Sequence, residues 1–151
     1  MKFFGRKEKD IIPPAIIYED GKITAYGADF DAQNFNGNKI DAKGKYLSPG
    51  FVDIHCHGGG DSDFMDGTLD AYITAATLHA KYGTTAITPT LTTGPDEDMI
   101  NSFKIFHQAK NSEYNGAKFL GIHMEGPYFN PAQAGAQDPR HIKHPTKDHY
   151  E

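Results

Sequence analysis

A single cysteine in 151 residues leaves no internal disulfide to form, which agrees with a reducing cytoplasm as the working compartment. No apolar run approaches the roughly 18–20 residues that cross a bilayer, so no membrane partner is expected. The first dozen residues are polar and lack a signal-peptide core, and nothing marks the chain for export. Basic clusters are missing too. Lys plus Arg total 15 against 20 Asp plus Glu, a net charge of −5, and that balance argues against nucleic acid or anionic lipid as a partner. There is no Walker loop, no dinucleotide G-x-G-x-x-G followed by an acidic residue, and no G-x-S-x-G nucleophile. What is present is a core-forming composition, 38% hydrophobic with ten Phe and eight Tyr, which excludes a disordered tail. A chain of this size supports one real core. Eight histidines are many for the length and give the first hint of chemistry.

The pattern along the chain changes near residue 48. Residues 1–14 carry mixed charge, end in Pro13-Pro14 and read as a loose lead-in. Turn signals at Asp20-Gly21, Asn36-Gly37 and Gly44 then predict short strands, a small β unit over residues 15–47. From residue 48 to 151 the rhythm is β-α-β-α-β. Phe51-Val52-Asp53-Ile54 reads as a buried parallel strand. A helix over 69–81 presents Leu69, Tyr72, Ile73, Ala76 and Ala80 on one face and stops at Gly83. A β-branched strand over 84–90 follows. A second helix starts after Gly94-Pro95 with three acidic residues at its positive end, carries an apolar stripe of Ile100, Phe103, Phe106 and Ala109 (or Met99, Phe103 and Phe106), and ends near Asn115-Gly116. A third strand over 118–124 runs into Glu125-Gly126-Pro127. Strands alternating with helices imply parallel pairing. Three strands make neither a barrel nor a comfortable open sheet, so the chain is expected to be incomplete.

His55 and His57 sit two apart at the carboxyl end of the first of these strands. Residues at i and i+2 share a strand face, so both imidazoles can converge on one divalent ion of zinc or iron type. The same pair also fits a solvated loop. Asp53 is in phase with them and could accept from an imidazole behind the ligands. Cys56, on the opposite face, reads as packing. His123 and Glu125 repeat the spacing at the end of the third strand, and parallel α/β folds build their active faces from the carboxyl ends of strands. A shared metal site is therefore expected. His79 and His107 fall on helices, and His141, His144 and His149 form a tail group read as solvated. Asp61, Asp63 and Asp66 are spaced almost like a calcium loop, but the distal Glu is missing.

The run Leu47-Ser48-Pro49-Gly50-Phe51-Val52-Asp53-Ile54-His55-Cys56-His57-Gly58 resembles the amidohydrolase superfamily, whose members are (β/α)8 barrels with a small β-sandwich appended. The combination of Gly58-Gly59-Gly60, Asp63-Phe64-Met65-Asp66-Gly67-Thr68, Tyr82-Gly83-Thr84-Thr85, Pro89-Thr90, Gly121-Ile122-His123-Met124-Glu125-Gly126-Pro127-Tyr128, Asn130-Pro131 and Gly135-Ala136-Gln137-Asp138-Pro139 is similar to the N-acetylglucosamine-6-phosphate deacetylase family. That resemblance covers roughly residues 15–145. It implies an α/β fold, the N-terminal part of a TIM-type barrel behind a small β unit. It further implies one or two divalent ions, with Glu125 as a ligand and His55 and His57 joining it where two ions bind. Ala136 would contact an N-acetylated amino-sugar phosphate substrate, with Gln137 beside it. The family's catalytic aspartate and two further metal histidines lie on later strands, beyond Glu151, so this chain alone is expected to be inactive, and the full-length protein is expected to form a homodimer. Two alternatives stay open: an amidohydrolase acting on a different sugar or cyclic amide, and a non-catalytic truncated interaction fragment.

Overall fold

The computed structural model describes residues 15–27, 36–43 and 45–151. The chain divides into two compact units at Pro49/Gly50. The lead-in over residues 1–14 and the turn at Gly44 lie outside the described residues. In the first unit, β1 (Ala15–Glu19) and β2 (Lys22–Gly27) pair antiparallel across Asp20-Gly21. Both turn residues take positive φ, 50° and 74°, the combination a two-residue hairpin requires. No strand forms over residues 36–43. Among the described residues, the unit expected over 15–47 is therefore one hairpin.

The second unit is a mixed α/β layer. Its strands are β3 (Phe51–Cys56), β4 (Thr84–Thr92), β5 (Lys118–Phe119) and β6 (His123–Glu125). All pair parallel: β3 lies on one side of β4, while β5 and β6 both lie on the other. The single strand expected over 118–124 is thus broken in two, and its two pieces follow β4 in sequence. Leu120 N–H still donates to the Ile87 carbonyl at 3.0 Å across the break.

Between β3 and β4 runs α1 (Leu69–Lys81), opened by the Thr68 hydroxyl accepting from Ala71 N–H, a cap of the kind worth about 1 kcal/mol. Its buried residues are Ala71, Tyr72, Ala75 and Ala76, which leaves Leu69 at the rim. Gly83 follows at φ 100°, as the stop signal predicted. α2 (Asp96–Lys110) ends about a turn earlier than its sequence suggests, capped at Asn111. It buries Met99, Ser102, Phe106 and Ala109, while Ile100 stays exposed. Ser102 is tolerated inside because its hydroxyl donates to the Phe64 carbonyl and its own carbonyl accepts from Tyr72 Oη. Burial pushes the Tyr72 phenol up to about 12. Gly116 lets the chain pass α1: a Cβ there would lie 2.9 Å from the backbone of Ala76 and Thr77.

Phe119 is the hub of the core. Its ring lies 5.8 Å from Tyr72, 6.0 Å from Phe106 and 5.5 Å from Tyr114, a cluster in which each buried ring contributes about 1.5–3 kcal/mol. The other flank differs. β3 was expected to be buried, yet Phe51, Val52 and Ile54 are 68%, 59% and 69% exposed. Among the described residues of this unit β3 pairs with β4 alone, so it is an edge strand, and only Cys56 at its end reaches the helix-covered core.

Candidate metal centre

The site begins with the loop after β3. His57 carbonyl accepts from Phe64 N–H at 2.8 Å, and Gly59 N–H donates to Ser62 O at 2.8 Å, so residues 57–64 fold back on themselves. A Cβ on Gly58 would sit 2.0 Å from Ser62 O, which leaves room for glycine alone. Asp63 and Asp66 form a reciprocal capping box around a 3-10 turn, and that explains the calcium-like spacing without an ion. His79, on α1, bonds the Gly58 carbonyl through Nε2 at 2.9 Å. It pins the loop from behind, a role that its helical position did not signal.

This framework leaves both strand-end imidazoles pointing across β4. The outer strands of a three-strand layer lie about 9–10 Å apart, a gap that one imidazole and one glutamate can close. His55 Nε2 lies 3.2 Å and His57 Nε2 3.1 Å from the same oxygen, Glu125 Oε2. The three donor atoms fall within 4.8 Å of one another. A tetrahedral zinc with ligands at about 2.0–2.1 Å separates adjacent donors by about 3.3 Å, so both spacings to Glu125 fit such an ion. The donor chemistry fits as well, two imidazole nitrogens and one carboxyl oxygen. His57 Nδ1 is buried with no hydrogen-bond partner among the described residues.

The remaining candidates separate clearly. His123 stands beside the cluster, with its ring 4.7 Å from that of His55 and its Nδ1 3.1 Å from Thr90 Oγ1. Thr90 is fully buried, so it fixes the His123 ring from below. Asp53 is corrected: its carboxylate accepts from the His55 backbone N–H at 3.1 Å, because a short acidic side chain closes that local ring more readily than it reaches an imidazole. Cys56 is buried in the apolar cluster, and burial, then the Asp53 charge, pushes its thiol up to about 11. It is a packing residue and stays protonated near neutrality.

The segment after Glu125 is held by two 3-10 turns capped by Asn130 and Asp138. Arg140 clamps Asp138 and holds its carboxyl down at about 2. Between the turns, Ala136 is exposed, whereas Gln137 is buried and its Oε1 accepts from Thr93 N–H at 2.9 Å. Gln137 therefore ties the loop to the end of β4 through its side-chain oxygen. The tail group is also more structured than expected: His149 contacts Tyr128 Oη, Lys143 Nζ and Asp96. His144 is exposed. The parts played by Thr90 and Thr93 escaped notice because a threonine in or beside a β-branched strand carries no signal of its own.

A parallel sheet with two imidazoles and a carboxylate meeting at the carboxyl ends of its strands defines an α/β protein with the donor set of a candidate metal site. More particularly, the chain is related to the N-acetylglucosamine-6-phosphate deacetylases. It is 32% identical over 137 residues to the N-acetylglucosamine-6-phosphate deacetylase of Lysinibacillus sphaericus, covering 86% of this chain and 33% of that protein. It is 36% identical over 93 residues to the N-acetylgalactosamine-6-phosphate deacetylase of Escherichia coli O157:H7, covering 62% and 25%. The crystal structure of N-acetylglucosamine-6-phosphate deacetylase from Pasteurella multocida superposes with a TM-score of 0.82 at 30% identity, covering 93% of this chain and 37% of that one. No family model matches the chain. The chain spans about a third of the length of the curated relatives it matches.

Proposed function

We propose that this chain is the metal-binding portion of a deacetylase that hydrolyses the acetamide of N-acetylglucosamine 6-phosphate to glucosamine 6-phosphate and acetate. The observation that carries the reading is the meeting of His55, His57 and Glu125, from two strands on either side of β4, around one point. In this reading residues 15–47 belong to a small β-sandwich domain and residues 48–151 supply the first three β/α units of a (β/α)8 barrel. His55, His57 and Glu125 hold one or two divalent ions of zinc or iron type. Such an ion polarises an amide carbonyl and brings the pKa of water toward about 7. The chain's own residues orient and exclude: His123 backs the His55 ring, Cys56 faces away, and the loop between the capped turns presents Ala136 to the sugar. The proton-transferring aspartate lies beyond Glu151, and the working protein is a cytoplasmic homodimer. Among the described residues no helix is long and apolar enough to cross a membrane.

The test is amine release from N-acetylglucosamine 6-phosphate, with divalent ion content measured alongside. The protein as its own gene encodes it turns over, and the isolated 151-residue chain does not. Turnover by the isolated chain would overturn the division of labour. A second reading rests on the N-acetylgalactosamine-6-phosphate deacetylase relative, at 36% identity: the substrate is the epimer at the 4-hydroxyl. Comparing kcat/KM for the two sugar phosphates decides between them.

A further inference from the structure

Thr93 stands directly after β4, 6% exposed, where β4 and β6 run in register with Thr92 opposite Glu125. It makes two bonds in two directions. Its backbone N–H donates to Gln137 Oε1 at 2.9 Å, and its hydroxyl donates to the carbonyl oxygen of Glu125 at 3.4 Å. A Cβ added to Gly126 would lie 2.0 Å from Thr93 Oγ1, so the hydroxyl is packed directly against the peptide that follows the metal-facing glutamate. Gly126 has φ 111°, a conformation that glycine adopts freely. One buried residue therefore holds both the backbone of Glu125 and the loop that carries Ala136.

Resting on the deacetylase reading, we propose that Thr93 is a positioning residue that registers the cation-binding carboxylate against the sugar-facing loop, its hydroxyl serving the former and its amide, through Gln137, the latter. The two bonds leave from different atoms, so they can be cut separately. Replacing Thr93 with Val removes the hydroxyl and keeps the amide and the side-chain shape. Replacing Gln137 with Met removes the acceptor and leaves the hydroxyl bond to Glu125 untouched.

The experiment uses the protein as its gene encodes it, with zinc affinity read by competition with a chelator and with kcat and KM for N-acetylglucosamine 6-phosphate. Thr93→Val weakens zinc binding about tenfold, the low end for residues that orient a ligand from behind, with the circular dichroism spectrum unchanged. Thr93→Ser, which keeps a hydroxyl, restores zinc affinity to within about twofold of the parent. Gln137→Met raises KM several-fold with zinc affinity unchanged. Zinc binding by Thr93→Val at the parent's affinity overturns the proposal, as does a Gln137→Met variant in which zinc affinity and KM move together or neither moves. If Thr93→Val fails to fold, the Gln137→Met split and the Thr93→Ser affinity still decide. Absence of zinc binding in the parent protein defeats the metal reading itself, a result distinct from either.

Discussion

The second unit contains two places where histidine meets a carboxylate, and they are built in opposite ways. At the strand ends, His55 and His57 share one oxygen of Glu125, and the ion pairs of that carboxylate among the described residues are with these two imidazoles. At the head of α2, Asp96 meets His149, but Lys143 reaches the same carboxylate, from a segment whose Lys143 N–H is bonded to the Pro127 carbonyl. Lys143 pairs with the carboxylate directly, and its hydrogen bond holds the Asp96 carboxyl below the ordinary aspartate range. The first grouping is, among the described residues, a set of donors converging on one point. The second is already neutralised and serves to fasten the short helix α3 (Lys147–Tyr150). Residue types alone do not separate a ligand cluster from an ion-pair clasp. The presence of an internal cation does.

The sharpest way to break this comparison is to remove each carboxylate in turn. Glu125→Ala is expected to lower divalent-metal affinity by more than about 100-fold, since even residues behind the ligands are worth about 10–100-fold. Asp96→Asn is expected to leave that affinity unchanged, and calorimetric titration with zinc checks both. Removing one imidazole, His55→Ala or His57→Ala, should cost somewhat less, about 10–100-fold each, because two donors remain. Equal metal affinity in all four variants would erase the distinction between the two groupings.

Smaller effects belong to the clasp. Lys143→Met should cost at most about 1 kcal/mol in a denaturant titration, as expected for partly exposed ion pairs, and should loosen amide protection over residues 147–150. Acid should act in the same direction. The Asp96 carboxyl is depressed in the folded chain, so its contribution is complete above the ordinary aspartate value of about 4 and is lost as pH falls below it. Hydrogen exchange of the tail helix, followed downward from pH 5, reads this directly.

Much of the site was legible locally. Period-two spacing put His55 and His57 on one strand face, the Asp20-Gly21 pair announced a hairpin, and Gly83 marked the end of α1. The misreadings fall where a side chain had several possible partners. Asp53 was in phase with an imidazole and bonded a backbone amide instead. The Gln137 side chain turns inward to Thr93, a partner 44 residues away that no local pattern announces. Phe51, Val52 and Ile54 have the composition of a buried strand yet lie at an edge.

The amino-acid order by itself therefore determined the Asp20-Gly21 hairpin, the two helices and the donor types that arrive at the strand ends, because periodicity and turn chemistry act over a few residues. Only the tertiary structure decided that β3 and the broken β5/β6 pair flank the same strand, that His55 and His57 meet one oxygen of Glu125, and that Thr93 bonds both the Glu125 carbonyl and Gln137. Those outcomes depend on strand pairing and on competition among distant hydrogen-bond partners, and a linear pattern records neither.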